Sequence, residues 1–193
     1  MRCAKETGKS VEQRRLSSLR ERQSESLALG AIGRETAKIC KGCGMSIAAY
    51  DPFMTKEQVE GYGAKYYEDY VELLKDSDVV SIHVPLTDQT RNMISKKELS
   101  VMKPTALIIN CSRGGIINEA DLVEALNNGV IAGAGTDVFC SEPPKTDDPL
   151  LNCRNLIVSP HSAAQTREAV IKMAQMCVKG CLAVAEGKKV GHM

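Results

Sequence analysis

From Ile32 to Ala185 the chain alternates short apolar runs with segments whose apolar residues recur at helical spacing, and this alternation constrains the fold most tightly. Helical patterns span Ile32–Cys43, Asp69–Ser77, Lys96–Met102, Glu119–Asn128 and Thr166–Ala185, the last a long amphipathic stretch. Between them lie strand-like runs at Met45–Tyr50, Val79–Ile82, Ala106–Asn110, Val130–Val138 and Leu156–Val158. In Glu119–Asn128 the residues Leu122, Val123 and Leu126 mark one helical face, a core stripe. Strand–helix alternation predicts a parallel sheet covered by helices on both faces. The strands are apolar throughout, as strands buried on both faces are. The expected fold is a doubly wound α/β domain over 28–188, followed by a short tail at 189–193.

The beginning of the chain breaks this order. Thr7–Ser26 is charged and Ser-rich, with no strand pattern, so 1–27 is expected to be irregular or disordered. A central parallel strand at Arg20–Ser26 would bury several charges, which is costly without partners. With one allowed choice of codons, Arg20–Ala28 read two nucleotides out of frame gives Gly-Lys-Thr-Ile-Gly-Ile-Leu-Gly, an apolar strand.

Composition excludes several function classes. A formal net charge of +1 over 193 residues gives no whole-chain attraction to nucleic acid or anionic membrane. No apolar stretch approaches the roughly 18 residues that span a bilayer, and the polar N-terminus is no secretory signal. Of the eight cysteines, Cys40, Cys43, Cys111, Cys140, Cys177 and Cys181 lie in or beside apolar patterns. They are expected to be buried free thiols in a reducing, cytoplasmic setting. Cys40-Lys-Gly-Cys43 has redox-motif spacing and Cys177 and Cys181 lie a helical turn apart, but no second metal-ligand pair accompanies either. Both are read as packing, with no metal site.

Ala28-Leu-Gly30-Ala-Ile-Gly33 leads into the first helix, and Asp51 closes the next strand, 18 positions after Gly33. This is the dinucleotide fingerprint with alanine in place of its first glycine. Gly30 would let backbone approach a pyrophosphate, Gly33 would let helix and strand pack closely, and the helix N-terminus favours the anion. A carboxylate at Asp51 can accept hydrogen bonds from a ribose and repels a 2′-phosphate, so NAD is expected rather than NADP.

Three ionisable residues sit just past strand-like runs: Arg113 before Gly114-Gly115, Glu142 before Pro143-Pro144, and His161 after Pro160. In an open parallel sheet the carboxyl ends of the strands share one edge, where ligands bind. A cation, a carboxylate and an imidazole meeting there could hold a substrate carboxylate and move a proton.

These segments resemble, in order and spacing, the NAD-binding domain of the D-2-hydroxyacid dehydrogenases, with phosphoglycerate dehydrogenases the nearest branch. The segments are Gly30-Ala-Ile-Gly-Arg-Glu, Tyr50-Asp-Pro, His83-Val-Pro-Leu-Thr-Asp-Gln-Thr90, Met102-Lys-Pro, Ile109-Asn-Cys-Ser-Arg-Gly-Gly115, Asp137-Val-Phe-Cys-Ser-Glu-Pro143 and Pro160-His-Ser-Ala-Ala164. The resemblance implies that Arg113 binds the substrate carboxylate through its planar fork. It implies that His161 gives and takes the proton at the reacting oxygen, and that Glu142 orients the imidazole and favours its charged form. It further implies that Ala31 and Ile32 meet the pyrophosphate and Asp51 the ribose. Val84, Pro85 and Thr90, with the Cys111, Ser112, Arg113 turn, would line the cofactor groove. Asp137 would face the nicotinamide carboxamide. His83 receives no catalytic role.

The family's substrate domain is built mainly from chain before the cofactor domain, and only about 28 residues precede the loop here. Two function classes follow. One is an NAD-dependent oxidoreductase acting on a small D-2-hydroxy acid, first of all 3-phosphoglycerate oxidation toward serine. Ser162-Ala-Ala-Gln-Thr leaves hydroxypyruvate or glyoxylate reduction open. The other is a non-catalytic NAD-binding or dimerisation module, since the family's subunits pair largely through this domain as homodimers.

Overall fold

The computed structural model describes residues 23–188. Seven strands form one parallel sheet: β1 (Gln23–Leu27), β2 (Ser46–Tyr50), β3 (Lys65–Tyr66), β4 (Val79–Ile82), β5 (Leu107–Asn110), β6 (Gly133–Thr136) and β7 (Leu156–Val158), in the order β3-β2-β1-β4-β5-β6-β7. Six helices accompany them: α1 (Ala31–Gly42), α2 (Lys56–Gly61), α3 (Tyr70–Asp76), α4 (Lys96–Val101), α5 (Glu119–Asn127) and α6 (Arg167–Ala185). Strand order reverses between β1 and β4, which makes the carboxyl ends of those two strands the expected ligand crevice.

Local chemistry sets the helix starts. The Asp69 carboxylate accepts the Val71 amide at 2.9 Å, the Asn118 side chain that of Asp121 at 3.1 Å, and the Thr166 hydroxyl that of Ala169 at 3.1 Å. Each satisfies a first-turn donor that the helix itself leaves open. Ser95 and Glu98 close a reciprocal capping box at α4, and Thr55 and Gln58 close another at α2.

Two apolar layers flank the sheet. Leu73, Leu74, Ile82, Leu99, Ile108 and Leu122 belong to the larger one, which α3, α4 and α5 supply from one side. Leu29, Ile47, Ala49 and Val59 form the smaller one, against α1 and α2. Fully burying a Leu or Ile side chain stabilises by roughly 1.5–3 kcal/mol, so these layers hold the sheet rigid.

Several expectations are corrected. Gln23–Leu27 is a strand, and a central one: it pairs in parallel with β2 (Leu27 opposite Tyr50) and with β4 (Leu27 opposite Ile82). The ladder is made by backbone groups, which every non-proline residue carries. Without this strand, β2 and β4 would each leave a row of donors and acceptors unpaired. The remainder of the segment expected to be irregular, 1–22, and the tail 189–193 lie outside the described residues.

The seven described cysteines are free but mostly not buried. Cys153 is buried and Cys40 half-buried, whereas Cys43, Cys111, Cys140, Cys177 and Cys181 are exposed. Helix α6 forms as expected, yet none of its residues is buried, so its apolar side does not enter the core. Coverage on both faces is also incomplete. A concavity of about 510 Å³, walled by Leu107, Ile109, Ala134 and Ile157, lies open over β5–β7, and Ile157 is 80% exposed. Strand β6 is shorter than the run suggests, and α2 and β3 were not anticipated.

Candidate active site

A cavity of about 640 Å³ sits over the carboxyl ends of β1, β2 and β4. Gly30, Asp51, Val84, Pro85 and Thr90 line it. So do Tyr50, Phe53, Tyr70, His83 and Met93, to which the sequence assigned no cofactor role. His83 is half-buried, its Nε2 lies 2.9 Å from the Ser81 hydroxyl, and burial holds its pKa below the usual histidine value.

The residues at the cavity's mouth fit a dinucleotide. No side chain caps α1 at Gly30, so amides of its first turn remain available to an anion. A Cβ at Gly30 would meet nothing within 4 Å, so the approach to the backbone is open. Ile32 is 71% exposed, Ala31 lies at the same helix start, and Gly33 is buried where α1 meets the sheet. Ala28 stands at φ 77°, in the left-handed region that favours glycine.

Asp51 does structural work first. Its Oδ2 accepts the Leu29 amide and its Oδ1 the Phe53 amide, both at 2.9 Å. The carboxylate thereby ties the glycine loop to the end of β2, with lone pairs left on each oxygen. The Thr90 hydroxyl donates to the Pro85 carbonyl at 2.6 Å and accepts the Thr87 amide at 2.7 Å, which fixes the loop after β4.

At the ends of β5 and β6 a second group of residues gathers. Asn110, at the end of β5, is buried; its Nδ2 donates to the Arg113 carbonyl at 2.9 Å and its Oδ1 accepts the Ser112 amide at 3.0 Å. The Ser112 hydroxyl donates to the Val84 carbonyl, joining this turn to the β4 loop. Arg113 is exposed and its guanidinium donates to the Ser112 carbonyl at 2.7 Å. Cys111 does not line the 640 Å³ cavity; it lines the concavity over β5–β7.

His161 Nδ1 lies 2.7 Å from Glu142 Oε2, and Glu142 Oε1 accepts the Phe139 amide at 3.0 Å. The hydrogen bond to His161, then that from Phe139, holds the Glu142 carboxyl below the ordinary glutamate range, and Arg113 adds to the effect through its charge. The guanidinium, the carboxylate and the imidazole therefore share one rim. Glu142 holds one ring nitrogen of His161, Nδ1.

Asp137 directly follows β6. It is only 2% exposed, and its carboxylate accepts the Ser159 hydroxyl and, at 2.9 Å each, the amides of Ser162 and Ala163. It faces the His161 turn. Among the described residues, no group of three or more His, Cys, Asp or Glu side chains gathers to hold a metal, and no helix is long and apolar enough to cross a membrane.

With this geometry in hand, comparison with known proteins decides the family. A family model described as the D-isomer specific 2-hydroxyacid dehydrogenase NAD binding domain matches residues 3–163. The chain belongs to this family. The D-3-phosphoglycerate dehydrogenase of Archaeoglobus fulgidus is 41% identical over 172 residues, covering 89% of this chain and 32% of that protein. The glyoxylate reductase of Thermococcus litoralis is 43% identical over 162 residues, covering 84% of this chain and 48% of that protein. The NAD-complexed D-isomer specific 2-hydroxyacid dehydrogenase of Lactobacillus delbrueckii ssp. bulgaricus superposes with a TM-score of 0.82 at 32% identity, over 90% of this chain and 56% of that one. The chain thus spans from about a third to just over half of the length of these relatives, and NAD is its family's cofactor.

Proposed function

We propose that the domain is the NAD-dependent half of an oxidoreductase acting on the CH–OH group of a small D-2-hydroxy acid. The 2.7 Å contact between His161 and Glu142, on the rim that also carries Arg113, is the observation that supports this most directly. NAD supplies hydride acceptance or donation at the carbon. Gly30, Ala31 and Ile32 cradle its phosphates, Gly33 lets the helix close on the sheet, and Asp51 with Val84, Pro85 and Thr90 takes its adenosine side. Arg113 holds the substrate carboxylate. His161 takes the hydroxyl proton during oxidation and returns it during reduction, while Glu142 keeps the ring oriented and stabilises its charge.

The preferred reaction is oxidation of 3-phosphoglycerate to 3-phosphohydroxypyruvate, toward serine. Similarity to a D-3-phosphoglycerate dehydrogenase supports it, and similarity to a glyoxylate reductase supports glyoxylate or hydroxypyruvate reduction as the alternative. Pairing of two copies through this domain, in a cytoplasmic setting where the seven described cysteines stay free, completes the reading.

The second class is an NAD-binding or dimerisation module without turnover. NADH fluorescence titration beside turnover assays with 3-phosphohydroxypyruvate, hydroxypyruvate and glyoxylate separates the two. Binding with turnover of one of the three is expected. Binding with no turnover of any sinks the enzyme reading and leaves the module.

A further inference from the structure

We propose that the groove between α1 and α2 binds an anion carrying linked phosphate groups, at a place separate from the cofactor cavity. Arg34, Lys38 and Lys41 line a concavity of about 700 Å³ there together with Tyr62, and the small residues Ala37 and Gly61 leave it open. It shares no lining residue with the 640 Å³ cavity over β1, β2 and β4. The proposal is therefore independent of the reaction proposed above.

The cations are set along one helix. Positions 34, 38 and 41 fall at i, i+4 and i+7 of α1, which puts them on one face. At 1.5 Å of rise per residue, Arg34 to Lys41 spans roughly 10 Å. All three are exposed. Glu35 lines the same groove, yet among the described residues no carboxylate comes within ion-pair distance of any of the three. Three positive groups against one carboxylate leave the groove a positive field that attracts anions.

Two of the cations are held in place. Arg34 Nη1 donates to the Tyr62 hydroxyl at 2.8 Å, and the guanidinium carbon stands 5.3 Å from the centroid of that ring. A guanidinium has five N–H donors, so others remain for an anion. Lys41 reaches from α1 to the turn after α2: a Cβ on Gly63 would fall 2.4 Å from its Nζ, so the bare glycine makes the room. The carbonyl end of α2 draws Lys41 there but carries only a partial negative charge, and the groove stays positive. A planar guanidinium fork recognises phosphate through paired hydrogen bonds, and ammonium groups bind it as point charges. A single phosphate meets only neighbouring cations across such a span, whereas linked phosphates can meet all three.

The test is calorimetric titration of the full chain with inorganic tripolyphosphate and, separately, with orthophosphate. Both titrations are run at low salt, where exposed charges are least screened, with and without saturating NADH. Lys38→Gln and Lys41→Gln each remove one charge from the groove. Lys172→Gln removes an exposed charge from α6 and so controls for net charge alone. Each groove variant should weaken tripolyphosphate binding about fivefold, the scale of one unit charge 4 Å away in water, while Lys172→Gln stays within about twofold. Tripolyphosphate should bind about tenfold tighter than orthophosphate or better, since it meets at least one more cation at that same scale. NADH should leave the tripolyphosphate affinity within about twofold, since the two cavities share no lining residue. Absence of tripolyphosphate binding, equal affinity for orthophosphate, or an equal loss in Lys172→Gln overturns the proposal. Displacement of tripolyphosphate by NADH also overturns it and puts the anion at the start of α1 instead.

Discussion

His161 Nδ1 and Glu142 Oε2 stand 2.7 Å apart on an exposed rim, nineteen positions apart in a chain that runs through β7 between them. Such a pair at the surface contributes little to stability; its value is to fix the ring's orientation. Glu142→Gln keeps the shape and removes the charge that faces the imidazole. We expect kcat for 2-oxo acid reduction to fall about a hundredfold with KM little changed, within the range for a positioned acid–base group. Steady-state kinetics with saturating NADH checks this, and an unchanged kcat sinks the dyad.

The same contact has a defined pH window. The Glu142 carboxyl is depressed, first by the His161 hydrogen bond and then by the Phe139 amide. A depressed carboxyl favours the native state above its unfolded pKa and loses that contribution as pH falls through its lower folded value. The Glu142–His161 contact should therefore persist through neutral pH and well into the acid range. Carbon-13 titration of Glu142 is expected to show a midpoint below the ordinary glutamate value, and one at or above it refutes the contact.

Ala28 is the residue that departs from the glycine pattern, and its φ of 77° shows what the departure entails. Left-handed backbone costs an L-residue roughly 1–2 kcal/mol, while glycine adds unfolded-state entropy worth about 0.4–1 kcal/mol. Ala28→Gly should raise stability by about 0.5–1 kcal/mol in urea denaturation. NADH affinity should rise as well, since Ala28 lines the cavity. Lower stability would count against the assigned backbone.

Gly114 separates the Arg113 turn from the loop carrying Glu142. A Cβ there would fall 2.0 Å from the Phe139 carbonyl oxygen, a backbone atom with no room to move alone. Gly114→Ala should destabilise the domain by about 2 kcal/mol or more, in the range of other overpacking changes. Activity should fall further than stability, because the shift carries Arg113 away from Glu142. Equal stability to wild type in urea would refute the close approach.

Cys140 carries a thiol pushed up to about 11 by burial and by its hydrogen bond to Glu119. Thiolate is the reactive form, so at pH 8 little of it exists at this position. Cys140 and Cys177 are both exposed, yet in a timed iodoacetamide reaction followed by peptide mass spectrometry Cys140 should label more slowly. Faster labelling of Cys140 would refute the assigned environment.

Much of this was legible in the sequence because strand and helix periods differ. Apolar runs such as Val79–Ile82 and Leu107–Asn110 had no other plausible reading, and Arg113, Glu142 and His161 stood at their ends. β1 was not legible, since the strand forms through backbone pairing with two apolar neighbours and its own side chains carry no pattern. Helix α2 buries only Val59, too little for a periodicity, although Thr55 and Gln58 form the capping box that marks its start. The inward aim of Asn110 and Asp137 could not be read either. A polar residue at a strand end faces a ligand or its own loop depending on the neighbouring turn, and that turn lies 22 to 26 positions away for Asp137.

Helix α6 runs nineteen residues without burying one of them. An unsupported helix of that length is held chiefly by its own ladder, which is marginal in water. Its amide protons should exchange with solvent through local melting, orders of magnitude sooner than those of Ile82 or Ile108 at the heart of the sheet. Whatever eventually shelters Val178 and Leu182, in a longer chain or a neighbouring molecule, would register first as slowed deuterium uptake along this one segment.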